Sequence, residues 1–531
     1  DLILDWKDMS ARIQTAIHGE NIYILYTPIK LPDYPPLLIL EAGMLWNKEG
    51  KITKNSSFLQ ADLGTKSFGI GASRKDSLIP LPLKTHYLAF VSDTVTAFYT
   101  GKKKTLPYIQ RFIKTREQEL EQENLRYEDK ATVYTIMQNL LGWNLIYDPL
   151  HHQAITPMNR IYSEVGRERI TGTHLTAIMY ALDNKYHAFS NAIAILNKSA
   201  PGSFMANLGQ TTGNHKSFDL SHTPLGSIMV KMIYDKYPEK WFLEEVYDNL
   251  LSWNRWWPEE RDSMGYLIKS PDPLEKYPFS KVKKKTNQTA KFESGLDTSP
   301  LFDSTKLKSN NNMSELASVG LMGVYIADCL ALAEIADILD KTDDAIELRE
   351  RAEKYSTSLT RLWDEESGIY KDLNLATGEF STRLAPSNFY PLLAGVPSQE
   401  QAKRMIEEHL MNPEEFYGSY MLPSIARNDP AYDNSSCCRG RIWAPMNFLV
   451  YLGLRNYDLP EVRSILAEKS YHLLVKEWQE DRRVYKSYNA ETGRGSDLKN
   501  SDDFYSWGGL LGLIVLMEEG YWDKIPGNDY P

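Results

Sequence analysis

At 531 residues the chain is longer than one ordinary core encloses, so it should divide into two domains or form one large ring of repeated units with an appended domain. A net charge of −10 and a pI near 5.6 argue against a phosphate-tracking surface, because nucleic-acid affinity comes mostly from clustered Lys and Arg; no nucleic-acid partner is expected. No apolar run approaches the roughly 18 to 20 residues that span a bilayer, and the three cysteines, two of them adjacent at Cys437 and Cys438, form neither a disulfide framework nor a spaced metal-ligand set.

From residue 13 to about residue 100, short stretches such as Asn21-Ile-Tyr-Ile-Leu-Tyr and His86-Tyr-Leu-Ala-Phe-Val alternate apolar and polar positions between Pro and Gly punctuation, which predicts strands and turns. A β-rich, sandwich-like domain is therefore expected over residues 1–106. Residues 107–139 change to a charged helical pattern and are expected to act as a linker. Over 140–531 the pattern is long helices, such as 318–339 and 343–362, separated by loops rich in Gly, Pro and Asn. Three segments repeat one theme: Trp257-Pro-Glu-Glu-Arg-Asp-Ser-Met-Gly-Tyr, Trp363-Asp-Glu-Glu-Ser-Gly-Ile-Tyr and Trp478-Gln-Glu-Asp-Arg-Arg-Val-Tyr each end a helix with Trp, acids and Tyr. A recurrence of roughly a hundred residues, about two helical hairpins, fits a closed ring of hairpins.

In such a ring, loops at one rim carry the chemistry. The 12 Trp and 32 Tyr, many beside Gly, Pro or carboxylates, suit a sugar site: a pyranose offers an apolar face to an aromatic ring and hydroxyls to polar groups. Hydrolysing a glycosidic bond needs one carboxylic acid to protonate the leaving oxygen and a second carboxylate to activate water or attack the anomeric carbon. In Phe292-Glu-Ser-Gly-Leu-Asp-Thr-Ser-Pro-Leu-Phe-Asp303, Gly295 permits a tight turn and Pro300 stops an early helix, which leaves Glu293 and Asp297 on a loop.

That segment resembles the acid motif of glycoside hydrolase family 63 and the related trehalases. The resemblance implies a mainly α (α/α)6 toroid, with Asp297 as general acid and Glu293 beside it in the pocket. It extends over most of residues 140–525. Trp143-Asn-Leu-Ile-Tyr-Asp-Pro looks like the family's opening segment. Arg439-Gly-Arg-Ile-Trp-Ala-Pro-Met-Asn447 is similar to its pocket-lining Arg-Gly-Pro-Ile-Trp stretch, and Tyr505-Ser-Trp-Gly508 to its final wall. Trp143, Arg439, Trp443, Asn447, Tyr488 and Trp507 are thus candidate sugar contacts. One departure matters most. The family's base Glu precedes a Tyr, and here Tyr485-Lys-Ser-Tyr-Asn-Ala-Glu-Thr-Gly493 puts Lys486 at that position, with Tyr488 after it. A lysine is cationic at neutral pH unless buried and does not replace a carboxylate as base. Glu491 in the same loop is the candidate base, with Asp502 and Asp503 further along; Lys486 is a candidate anchor for a substrate anion.

The expected function is removal of a terminal sugar from an oligosaccharide or small glycoside, by inversion. Two alternatives stay open: a catalytically degenerate carbohydrate-binding protein, and a sugar isomerase or epimerase using His174, His215 or His222 for proton exchange. Acid–base hydrolysis requires no cofactor; calcium in the Asp- and Asn-rich stretch 428–434 is a secondary expectation. The first residue is Asp1 and not Met, and a periplasmic or secreted location is expected, with a cytoplasmic one as the alternative.

Overall fold

The computed structural model describes residues 2–19, 21–43, 50–55, 58–64, 66–83, 85–148, 153–160, 173–196, 221–269, 298–303, 316–498 and 501–523. The chain divides at Ala131 and Thr132 into two compact units, the second built from Thr132–Ile146 and Ala154–Ile525.

In the first unit the alternating stretches pair antiparallel into one sheet. Its strands are β1 (Leu2–Trp6), β2 (Met9–His18), β3 (Asn21–Lys30), β5 (Lys51–Asn55), β6 (Phe58–Asp62), β7 (Ser67–Ala72) and β9 (Thr96–Thr100), in the order β1-β2-β3-β9-β7-β6-β5. A separate pair, β4 (Leu37–Glu41) with β8 (Tyr87–Val91), buries Leu88 and Phe90 against Ala11, Tyr26, Leu59 and Phe98 of the sheet. Period-two alternation sends Tyr23, Leu25 and Tyr99 to the opposite face, where helix α1 (Leu106–Asn124) covers them with Ile109 and Ile113. The residues expected to start a linker thus form a packed layer of a β-rich unit.

The second unit is a ring of helices in two layers. Its outer helices are α2 (Ala131–Asn144), α4 (Lys185–Leu196), α6 (Lys240–Arg261), α8 (Thr342–Thr360), α9 (Gln399–Arg404) with its π-helical continuation Met405–Leu410, and α11 (Pro460–Asp481). Between them in sequence come six inner segments: α3 (Thr173–Tyr180), α5 (Gly226–Lys236), α7 (Val319–Ile338), the 3₁₀ segment Pro386–Ala394, α10 (Ala444–Leu454) and α12 (Leu510–Glu518). Each inner segment packs on the next, and α12 packs on α3, which closes the ring. This is the (α/α)6 toroid.

Composition separates the layers. α10 and α12 are buried along almost their whole circumference, as helices inside a core must be. α8 buries only Ala345, Leu348, Ala352, Tyr355, Ser358 and Leu359, a single stripe at helical spacing. Among the described residues α7 alone is long and apolar enough to cross a membrane, and 78% of its most apolar window is buried. It belongs to the inner ring.

Inner layers pack closely where glycine permits. A Cβ at Gly323 of α7 would lie 2.7 Å from the backbone of Tyr390 and Pro391 in the neighbouring inner segment. Backbone cannot swing aside as a side chain does, so Gly323→Ala should destabilise the ring by about 1–3 kcal/mol. The check is a lowered urea midpoint with an unchanged far-ultraviolet spectrum; an unmoved midpoint would show that the two segments separate freely.

Candidate active site

Because outer and inner helices alternate along the chain, all six inner segments run in one direction and their N-termini meet at one rim. The Trp-acid-Tyr repeats mark the ends of outer helices, where the chain turns toward that rim. Asp262–Ser263 pairs with Tyr266–Leu267 after α6, and Trp363–Asp364 pairs with Ile369–Tyr370 after α8.

Trp443 immediately precedes α10, and Trp507 lies in the turn that opens α12; their rings are 6.0 Å apart and tilted by 50°. Tyr505 meets Trp507 edge-on at 5.6 Å. Ser506 fixes this wall: its N–H donates to the Met158 carbonyl at 2.8 Å and its hydroxyl to that of Pro157 at 3.1 Å. The Trp443 indole N–H is buried without a partner. One turn into α10, Asn447 donates through Nδ2 to the Met421 carbonyl at 3.2 Å, while its Oδ1 is buried and unpartnered. Trp143 lies against Phe504, ring centres 5.6 Å apart, beneath the Arg160 guanidinium at 4.9 Å, and its indole N–H is also unpartnered. Aromatic faces beside unspent donors and acceptors are what a ring of hydroxyls can satisfy.

The loop carrying Lys486, Tyr488 and Glu491 is held by a residue that sequence reasoning passed over. Arg441, 1% exposed, donates to the carbonyls of Asn434, Ser487 and Arg494 at 2.9–3.0 Å and pairs with Asp497 at 2.8 Å. Its neighbour Ile442 pairs by two backbone bonds with Tyr488. The signal was present in Arg439-Gly-Arg441, but only tertiary contacts separate the two arginines. Tyr488 is wholly buried; its hydroxyl accepts from the Tyr485 N–H at 3.1 Å, and burial raises its pKa well above the usual phenol range. Glu491 sits on a turn closed by Gly493, with its side chain 58% exposed and its carboxylate taken by Arg427 at 3.1 Å and the Tyr432 hydroxyl at 2.8 Å. Lys486 is half-buried, and its N–H donates to the Asp502 carbonyl at 2.8 Å.

Asp297, Glu293 and His215 lie outside the described residues. Thr298, which follows Asp297, accepts from the Ser436 hydroxyl at 3.1 Å and the Cys438 N–H at 3.2 Å. Pro300, Leu301 and Phe302 form a short turn that is buried, with Leu301 and Phe302 in one cluster with Met446 and Trp443. Arg439, rather than pointing freely at a ligand, pairs with Asp303 at 2.7 Å. The chain on either side of this ion pair is thus joined to the Trp443 wall. In the stretch 428–434, Asp429 pairs with Arg383 and Asp433 accepts from Ser435, and no cluster of three His, Cys, Asp or Glu suited to a metal occurs among the described residues.

His174, at the start of α3, is 1% exposed, stacks on Trp253 at 6.0 Å, and has no partner on either ring nitrogen. Burial, with His222 nearby, lowers its pKa to about 3. His222 is also lowered by burial; its Nδ1 donates to the Thr223 carbonyl at 3.1 Å, which leaves Nε2 as the acceptor. Imidazoles held neutral in this way offer acceptors to hydroxyls but are poor bases for exchanging a carbon-bound proton. Asp372 accepts from the Val319 N–H at 2.8 Å and is raised by burial to about 6.

A family profile described as a mannosylglycerate hydrolase MGH1-like glycoside hydrolase domain matches residues 174–508. The mannosylglycerate hydrolase of Thermus thermophilus is 29% identical over 172 residues, 32% of this chain and 39% of that protein. The cytosolic neutral trehalase of Kluyveromyces lactis is 35% identical over 130 residues, 24% of this chain and 16% of that protein. The chain therefore aligns with well under half the length of these curated relatives. The crystal structure of a Thermus thermophilus GH63 mannosylglycerate hydrolase in complex with Tris superposes with a TM-score of 0.58 at 17% identity, covering 72% of this chain and 99% of that one, a likeness of fold.

Two consequences can be measured. Arg441→Met leaves three carbonyls and Asp497 without their buried cation, which should cost about 3 kcal/mol or more in unfolding free energy; a variant as stable as the parent would show that water replaces the guanidinium. For His174, the unfolded chain binds its proton near the ordinary pKa of 6.5 and the folded chain only near 3. Between those values the unfolded state holds more protons, so stability falls as pH drops from about 6.5 toward 3. His174→Phe should remove that part of the decline, and parallel stability–pH curves for parent and variant would contradict it.

Proposed function

This chain belongs to the mannosylglycerate hydrolase MGH1-like glycoside hydrolase family, and from that membership we propose that it is an exo-acting glycosidase that releases a terminal sugar by inversion, with Asp297 as the general acid. The observation that carries the reading is the Trp443–Trp507 wall with its unspent indole N–H, tied through Phe302 and the Arg439–Asp303 ion pair to the chain that follows Asp297. On this reading the sugar ring stacks on the wall, its hydroxyls engage Trp443 and Asn447, and Asp297 protonates the glycosidic oxygen.

Inversion requires a second carboxylate about 6.5–9.5 Å from the acid, with the attacking water between them. On this reading it comes from the loop 485–503, which contains Glu491, Asp502 and Asp503. Lys486 adds positive charge for a substrate bearing a carboxylate. The names of the relatives make mannosylglycerate and trehalose the first compounds to try, together with a panel of p-nitrophenyl glycosides.

Lys486 at the position of the family's base also favours a second reading, a degenerate protein that binds a sugar without cleaving it. The two readings part on one experiment. For the substrate cleaved fastest, Asp297→Asn should lower kcat by about 10²–10⁴-fold with KM little changed, since a positioned general acid contributes that much. Nuclear magnetic resonance of the first-formed anomer then tests inversion. A parent protein that leaves every compound intact on long incubation, while binding one of them, supports the binding reading. An Asp297→Asn variant as active as the parent excludes Asp297 as the acid.

A further inference from the structure

Tyr485 lies opposite Asp503 in an antiparallel bridge, and the Lys486 N–H donates to the Asp502 carbonyl at 2.8 Å, so Lys486 and Asp502 are the next cross-strand pair. Directly opposed residues project to the same face of a ladder, with Cβ atoms about 4.5–5.5 Å apart, and the neighbouring pair projects to the other face. That other face is accounted for: the Tyr485 hydroxyl donates to Asp481 of the outer helix α11 at 2.7 Å, and Asp503 pairs with Arg483 at 3.1 Å. Lys486 and Asp502 adjoin that bridge on its other side, and Asp502 precedes Trp507 of the aromatic wall by five residues.

The rim carboxylates differ in how far they are already committed. Asp303 is paired with Arg439, Asp429 with Arg383, Asp497 with Arg441, and Glu491 with Arg427 and the Tyr432 hydroxyl. Asp372 accepts from the first N–H of α7. Asp502 is different: its Oδ2 is buried from solvent and has no hydrogen-bond partner. Glu477 also buries an unpartnered oxygen, but it lies on the outer helix α11. An unsatisfied buried carboxylate oxygen is costly, and such groups persist where a substrate or water completes them.

We propose that Asp502 supplies the carboxylate that holds and deprotonates the hydrolytic water, an acid delivered from the strand opposite Lys486. This assignment rests on the glycosidase reading above. In the step, the water oxygen bonds to the anomeric carbon as one of its protons passes to Asp502. The bond from the anomeric carbon to the leaving oxygen breaks, and that oxygen takes the proton of Asp297. One water is consumed; Asp502 then returns its proton to solvent and Asp297 regains one.

The test uses the full chain and whichever of mannosylglycerate, trehalose or the p-nitrophenyl glycosides the parent cleaves fastest. Asp502→Asn should lower kcat by about 10²–10⁴-fold and change KM by less than about threefold. Asp502→Ala should be equally slow, and sodium azide should restore turnover as a glycosyl azide, because the small anion enters the space the carboxylate leaves. Asp502→Ser serves if either variant fails to fold. Loss of kcat with no azide product means that Asp502 only supports the loop, and overturns the assignment. So does an active Asp502→Asn beside an inactive Glu491→Gln, which would give the role to Glu491. If Asp297→Asn keeps the parent's rate, or the parent cleaves nothing, the glycosidase reading itself fails; an inactive Asp297→Asn with an active Asp502→Asn rejects the Asp502 assignment alone.

Discussion

The rim exists because six apolar segments close on one another in a ring while the chain alternates between layers. That closure forces every inner segment to run the same way, so six sets of first-turn N–H groups, without partners inside their own helices, collect at one end. Ser318 and Asp372 satisfy part of the set at α7. Loops returning from the outer helices must cross this end, and the carboxylates, aromatic rings and arginines of the candidate site lie on them.

Polar groups of the second unit are satisfied in different ways. On its outer surface Arg255 bridges Asp344 and Glu347, and Arg404 bridges Glu365 and Glu408, so long side chains find partners in solvent-exposed networks of small net value. Near the rim, Trp143, Trp443, Asn447, His174 and Asp502 each keep a buried polar atom without a partner. Leaving such an atom unpaired costs about 1–3 kcal/mol. Buried atoms of this kind also occur at His187, Ser227, Trp257, Tyr370 and Glu477, so what sets Trp443 and Asn447 apart is their place at the aromatic wall.

Arg441 shows how this arrangement is kept open. Its guanidinium spends its donors on backbone carbonyls of the loop and on Asp497, and so holds the chain around Lys486 and Tyr488 in one conformation without itself facing a ligand. Arg439, two residues earlier, ties the same stretch to Asp303. The two arginines look alike in the sequence. In the fold Arg441 is buried in the core while Arg439 stays partly exposed.

The sequence by itself determined the mainly α ring and its β-rich companion, and it offered the segment proposed to hold the proton donor. Helical and strand periodicities are local, and the Phe292–Asp297 motif is contiguous. The burial of Tyr488 and His174, the capture of Glu491 by Arg427 and Tyr432, and the open oxygen of Asp502 were decided only by tertiary structure. A carboxylate is spent or free according to which groups the fold brings within about 3 Å of it. Those groups come from loops far apart in the chain, and the register that sets Asp502 across from Lys486 is a property of the folded ladder, not of either segment alone.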